Sequence, residues 1–135
     1  MPKSKIFVLP VRVYFQDTDA GGVVYHASYV NFMERARTEW MRTHGYSNAD
    51  LMKEFGVVFV VRSLKLDYLK PALLDDLLDV TAQIKEIGRS RISLLQEVRR
   101  GDELLTEAEV HLVCVSLESF KPVSVPEVLR KQWKN

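Results

Sequence analysis

The chain has 135 residues, an apolar fraction of 47% and a formal net charge of +1, which together describe one core-bearing domain spanning residues 1–135 and exclude a disordered chain. So small a net charge supplies no overall field for nucleic acid, and any anion site must be local. The single cysteine, Cys114, excludes an internal disulfide and a zinc cluster; with no signal-like apolar segment and no run of membrane-spanning length, a cytoplasmic protein is expected.

Residues 7–16, rich in Val, Tyr and Phe with weak alternation, predict a first strand. From Ser28 to His44 the period becomes helical. Tyr29, Phe32, Met33, Ala36, Trp40 and Met41 share one side, with Glu34, Arg35, Thr38, Glu39 and Arg42 on the other. Ser28 fits the N-cap and Gly45 the C′ position. Ser47-Asn48-Ala49-Asp50 has the S-x-x-D form of a helix start and predicts a short second helix closing at Gly56.

Strands follow. Residues 57–68 begin as an apolar run and then alternate, and residues 77–87 alternate throughout. Gly88-Arg89-Ser90 reads as a turn into 91–100, and Gly101-Asp102 as a turn into a long strand at 104–117. A short helix is predicted near 127–133. One long helix followed by at least four consecutive strands predicts an α+β fold, with an antiparallel sheet packing its apolar face on the helix. Leu112 to Leu117 is apolar on both faces, which predicts cover on the outer side, most simply by a second copy.

Chemistry concentrates between Tyr14 and Arg37. Asp17 and Asp19 end the strand-like stretch, Gly21-Gly22 follows, and His26 stands at the mouth of the long helix. A carboxylate, an imidazole and a helix N-terminus supply what acyl transfer or hydrolysis needs: a base or nucleophile, an orienting group, and N–H groups facing developing negative charge. Asp19 is the stronger candidate, because it precedes Ala-Gly-Gly, where the backbone permits close approach of a ligand. The structural alternative is that Asp17, Thr18 and Asp19 are turn formers and His26 a packing residue.

His44 sits at the helix C-terminus, where a cation is favoured, and His111 lies mid-strand with Glu107 and Glu109. No two histidines have metal-ligand spacing, so no metal is expected. Glu34 fits the helix's charged face and is the second-choice carboxylate. Arg89 and Arg91, at a predicted turn, are candidates for holding phosphates or are simply a solvated hairpin tip. Cys114 lies in an apolar run and reads as a buried, inert thiol.

With these residues in view, the chain resembles the hotdog-fold acyl-CoA thioesterases of the 4-hydroxybenzoyl-CoA thioesterase superfamily, and within it the Tol-Pal-associated (YbgC-type) branch. The segment from Val11 to Glu39 carries the likeness almost continuously, and Phe59-Val60-Val61-Arg62, Leu74 to Leu78 and Ala108 to Val115 extend it along the chain. The resemblance implies an antiparallel sheet wrapped around one long helix. It also implies hydrolysis of acyl-CoA thioesters without metal or cofactor, in a homodimer with sites between subunits, often paired into a homotetramer. The family's catalytic aspartate falls on Asp19 and its histidine on His26. Phe15-Gln16 departs from the aromatic-acid pair found in relatives.

The mechanism so implied seats the thioester carbonyl at the helix N-terminus near Tyr25, His26 and Ala27, with the phosphates of CoA near Arg89 and Arg91. The rival is a non-catalytic module that binds acyl-CoA or an acyl carrier protein; an intact Asp19 and His26 favour the enzyme, since a binder needs neither.

Overall fold

A computed structural model describes residues 5–134. Its elements are β1 (Phe7–Arg12), a 3-10 turn (Phe15–Asp17), α1 (His26–Thr43), α2 (Asn48–Phe55), β2 (Val57–Tyr68), β3 (Leu77–Ile87), β4 (Arg91–Arg100), β5 (Glu103–Ser116) and α3 (Glu127–Trp133). The five strands form one antiparallel sheet in the order β1-β3-β4-β5-β2. β2 and β3 have the limits their alternation predicts, β4 those set by the two turn signals that flank it, and α3 covers the residues expected for a final helix.

α1 lies against the inner face of the sheet and buries the stripe its sequence marks out: Tyr29, Phe32, Met33, Ala36, Trp40 and Met41. Each large apolar side chain removed from water there contributes about 1.5–3 kcal/mol. The first half of the helix packs with Leu78, Val80, Val98 and Leu105, and the second half with Ile92, Leu94, Leu112, Cys114 and Trp133. The two ends of α1 are thereby tied to opposite ends of the sheet. Burial pushes the Cys114 thiol up to about 11, in keeping with an inert core position.

Two boundaries differ from expectation by more than one residue, while β5 is displaced by a single residue from the expected 104–117. The first strand stops at Arg12, because the chain then folds into the 3-10 turn, where the Asp17 carboxylate accepts the Tyr14 N–H at 2.8 Å. The long helix starts at His26, not after Ser28. Tyr25 is the N-cap, and Ser28 is already helical, its N–H bonded to the Tyr25 carbonyl and its hydroxyl donating to the Asp17 carbonyl at 3.2 Å. α2 obeys its sequence signal, with reciprocal Ser47–Asp50 capping bonds and Gly56 in the left-handed conformation.

The edges of the sheet are unlike. β1 is short and carries Pro10, which has no N–H to offer a further strand. β2 has twelve residues, contains no proline, and exposes Val61 and Leu64. On β5, Val115 is buried within the single chain, where Pro122 bridges to it and the Val123 N–H bonds to the Cys114 carbonyl. Cover at that point therefore needs no second copy; the bare edge is β2. No helix of the described residues is long and apolar enough to cross a membrane.

Among the buried polar side chains, Gln96 is the largest. Gln96 is 1% exposed, and its amide donates to the carbonyls of Met33 on α1 and Thr81 on β3 at 3.0 and 3.1 Å. Its oxygen accepts from the half-buried Arg37 guanidinium, whose charge burial disfavours. These bonds fill the interval where the β3–β4 pairing passes from Val80–Val98 to Gln83–Leu95. Replacing Gln96 with Ala removes three partners and opens a cavity. We expect a loss of about 2–4 kcal/mol in urea unfolding. A variant as stable as the parent would show that the amide is dispensable.

Candidate active site

The two acids at the end of the first strand have different surroundings. Asp17 is 8% exposed; its carboxylate is spent on the Tyr14 N–H, and its carbonyl receives the Tyr25 N–H at 2.8 Å. Asp19 is exposed. One of its carboxylate oxygens accepts the Gly21 N–H at 2.9 Å, and no described residue bonds the other.

The chain reverses tightly after Asp19. The Asp19 N–H bonds to the Val23 carbonyl at 3.0 Å, the Gly22 N–H bonds back to the Asp19 carbonyl at 3.1 Å, and Thr18 bridges Val24. Gly22 has φ +77°, a left-handed conformation that side chains resist, and a Cβ at Gly21 would stand 3.4 Å from the Asp19 carboxylate. Gly22 is thus required by the backbone conformation of the reversal, not by space around the carboxylate.

His26 is the first residue of α1 and is exposed. Its ring lies 4.3 Å from that of Tyr25 and 6.4 Å, edge-on, from that of Tyr68. The N–H groups of His26 and Ala27 have no acceptor among the described residues, as expected in a helical first turn, and no acidic side chain occupies that turn. The Tyr25 N–H is already committed to Asp17, so only the Tyr25 ring is free to meet a ligand. Asp19 and His26 share no hydrogen bond; the short ladder from Thr18 to Val24 links them through backbone. A cleft of about 290 Å³ beside His26 is lined by Val24, Tyr29, Tyr68 and Lys70.

The segment between β2 and β3 buttresses this loop. Ala72 accepts the Val24 N–H at 2.9 Å, Leu73 bridges Val23, and the Leu74 N–H reaches the Gly22 carbonyl at 3.2 Å. Asp76 holds that segment in turn, accepting from the Leu73 N–H at 2.8 Å and from Arg100 at 2.7 Å. Arg100 also bonds Glu103 at 2.6 Å, which keeps the Glu103 carboxyl below its ordinary range.

An exposed carboxylate, an imidazole and two free N–H groups on one short stretch of chain are groups that can polarise a carbonyl and deliver or activate a nucleophile. A family model described as "Thioesterase-like superfamily" matches residues 13–133, which takes in the site and every strand but β1. The chain belongs to the thioesterase-like superfamily. Among its relatives, an Escherichia coli protein named acyl-CoA thioester hydrolase YbgC is 48% identical, covering 97% of this chain and 98% of its own. An acyl-CoA thioesterase YbgC from Haemophilus influenzae is 45% identical over 92% and 91% of the two chains. The crystal structure of a probable thioesterase from Bartonella henselae has a TM-score of 0.87 at 34% identity, covering 90% of this chain and 100% of that one. The α+β hotdog architecture expected from the resemblance is thus the one found.

Of the residues singled out in sequence, this thioesterase-like chain gathers Asp19, Tyr25, His26 and Ala27 at one end of its sheet. Arg89 and Arg91 lie at the other end of the same chain. Arg91 pairs with Val113, whereas Tyr68, beside His26, pairs with Thr106. Arg89 is partly engaged, donating from Nε to Ser124 at 3.0 Å. Glu34 is exposed one to two turns further along α1, and Glu39 pairs with Arg42 at 3.3 Å. His44 bonds the Trp40 carbonyl, and His111 bonds Glu109; neither approaches the site.

Sequence reasoning missed Tyr29, Tyr68, Asp76 and Arg100 as parts of this region. Tyr29 was visible only as a core residue. The Asp-Asp of residues 75–76 is a turn signal that says nothing of what it supports. The different surroundings of the two acids make a direct prediction. Asp17→Asn weakens a buried acceptor and should lower stability by about 1–3 kcal/mol, whereas Asp19→Asn should leave the melting curve within about 0.5 kcal/mol of the parent. Equal losses in both variants would contradict a structural role confined to Asp17.

Proposed function

We propose that this chain hydrolyses acyl-CoA thioesters to the free acid and CoA, with Asp19 as nucleophile or general base and His26 as the orienting group. The observation that carries the reading is the exposed Asp19 carboxylate, anchored through one oxygen to the Gly21 N–H, on a loop whose Thr18–Val24 bridge leads into a helix start with two unused N–H groups. The names of the Escherichia coli and Haemophilus influenzae relatives support the substrate class.

In this mechanism the thioester carbonyl oxygen lies at the first turn of α1 and receives the His26 and Ala27 N–H groups, where the helix dipole favours the negative charge that develops. Asp19 then takes a proton from water as the water oxygen attacks the carbonyl carbon, or attacks that carbon itself to form an anhydride that water opens. In either route the carbon–sulfur bond breaks, the electron pair leaves on the CoA sulfur, and that thiolate gains a proton. His26 orients the carbonyl, the water or the leaving thiolate. A thiolate is a good leaving group, so one carboxylate, one imidazole and two N–H donors suffice.

The assembly belongs to the same proposal. An exposed β2 edge without proline suits antiparallel pairing with the β2 of a second copy, which reverses the partner sheet. That reversal sets the partner's basic Arg89–Arg91 turn at the same end of the joined sheet as His26, where the phosphates of CoA would lie outside the acyl site. Pairing of such dimers into a homotetramer and a link to the Tol-Pal system rest on the resemblance alone, and a cytoplasmic location rests on the sequence's lack of a signal-like or membrane-spanning apolar run.

Asp19→Asn should lower kcat by roughly three orders of magnitude or more with KM little changed, read by thiol release across a series of acyl-CoA chain lengths. Turnover near the parent's would remove Asp19 from the chemistry, and no thiol release by the parent on any acyl-CoA would favour a binding module. Single-turnover hydrolysis in ¹⁸O-water separates the routes, since label in the Asp19 carboxylate requires the anhydride. Replacing Arg89 and Arg91 together with Ala should raise KM for acyl-CoA severalfold and leave KM for a truncated thioester unchanged. If KM for acyl-CoA does not move, the CoA phosphates lie elsewhere.

A further inference from the structure

Tyr68 ends β2 and stands beside the start of α1. Its hydroxyl donates to the His26 carbonyl at 2.8 Å, a contact between residues on separate elements. Its ring is edge-on to the His26 imidazole at 6.4 Å and packs against the Tyr29 ring at 5.3 Å. Tyr29 is buried, and its hydroxyl oxygen accepts the Ala72 N–H at 3.0 Å; the Ala72 carbonyl in turn accepts the Val24 N–H at 2.9 Å. The residue two before His26 and His26 itself are therefore both tied, through two tyrosines and Ala72, to the segment between β2 and β3.

The contact is unusual in its economy. A helix's first carbonyl is normally satisfied within the helix, so the hydroxyl is not needed to rescue a buried acceptor. Tyr68 is 49% exposed, so its ring is not held there by core burial. What the bond does is fix where the first residue of α1 sits relative to the sheet edge, while the ring forms one wall of the cleft that His26 faces. Side chains that orient a reacting group are commonly fixed in this way by neighbours that never touch the reacting atoms.

We propose that Tyr68 is a positioning residue for the thioesterase reaction, acting through His26: its hydroxyl fixes the His26 backbone and its ring limits the directions open to the imidazole. The inference rests on the role given to His26 above and adds a residue from a distant strand to that site. It predicts a loss in the chemical step and not in substrate binding, because a mis-aimed imidazole is felt most in the transition state.

The test is a double-mutant cycle on kcat with a short acyl-CoA. Tyr68→Phe keeps the ring and deletes the hydroxyl; it should lower kcat roughly five- to tenfold, with KM within about twofold and an unchanged melting temperature. In a His26→Ala background the same substitution should lower kcat no further, since the carbonyl remains but there is no imidazole to misplace. Parent-like kcat in Tyr68→Phe would overturn the proposal. So would an equal loss in both backgrounds, which would mean that Tyr68 acts through the first-turn N–H groups, the fold or Asp19 and not through the His26 imidazole. A His26→Ala enzyme with parent-like kcat would overturn the site reading itself and the proposal with it.

Discussion

Everything placed at the candidate site depends on how α1 is buried. The helix lays Phe32, Met33 and Ala36, all fully buried, against the inner face of a five-stranded sheet, and its two halves contact opposite ends of that sheet. A helix so held cannot slide or rotate without exposing one of these side chains or clashing with Val80, Val98 or Leu94, because packed interiors tolerate little displacement. The position and direction of its N-terminus follow from that burial. So does the direction of its dipole.

A second set of contacts converts this fixed helix end into a candidate site. Asp17 turns the chain through the 3-10 turn and hands its carbonyl to the Tyr25 N–H, so the loop enters the helix with one of its orphan donors already satisfied. The next N–H groups remain free, and the Gly21-Gly22 reversal pairs Thr18 and Asp19 with Val23 and Val24, the residues that lead into the helix. The division of labour between two acids two residues apart is thus a matter of surroundings. The buried one organises the backbone, while the exposed one keeps an oxygen for a ligand.

The segment between β2 and β3 carries the remaining constraint. It reaches the 22–24 loop through backbone bonds from Ala72 and Leu74 and through the Leu73 bridge, and it is itself clamped by the Asp76–Arg100–Glu103 group. These charged partners are partly exposed, so each ion pair adds little to global stability. Their effect is local, holding in register a stretch with no ladder of its own. The same stretch connects the site to β2, the edge strand without a proline, so the less protected of the two edges and the candidate site adjoin.

Much of this was legible in the sequence, for an identifiable reason. The stripe from Tyr29 to Met41, the capping residues Ser47, Asp50 and Gly56, the alternation in residues 57–68 and 77–87, and the turns that bound residues 91–100 are local signals, set by the periods of helix and strand and by cap and turn chemistry within a few residues. The α+β class follows from their order. The sequence also brings Asp19, the glycine pair and His26 close together, because they are neighbours along the chain. What depends on contacts between distant segments was decided only by tertiary structure. The early end of β1 and the early start of α1 come from bonds that Asp17 makes across the turn, which no helical or strand period encodes. The placement of Arg89 and Arg91 at the far end of the sheet from His26 within one chain follows from strand register. Tyr68 reached His26 across 42 positions of sequence, and Gln96 reached Met33 across 63; such pairs meet because the sheet closes on the helix, and a side chain's own neighbours carry no record of that closure.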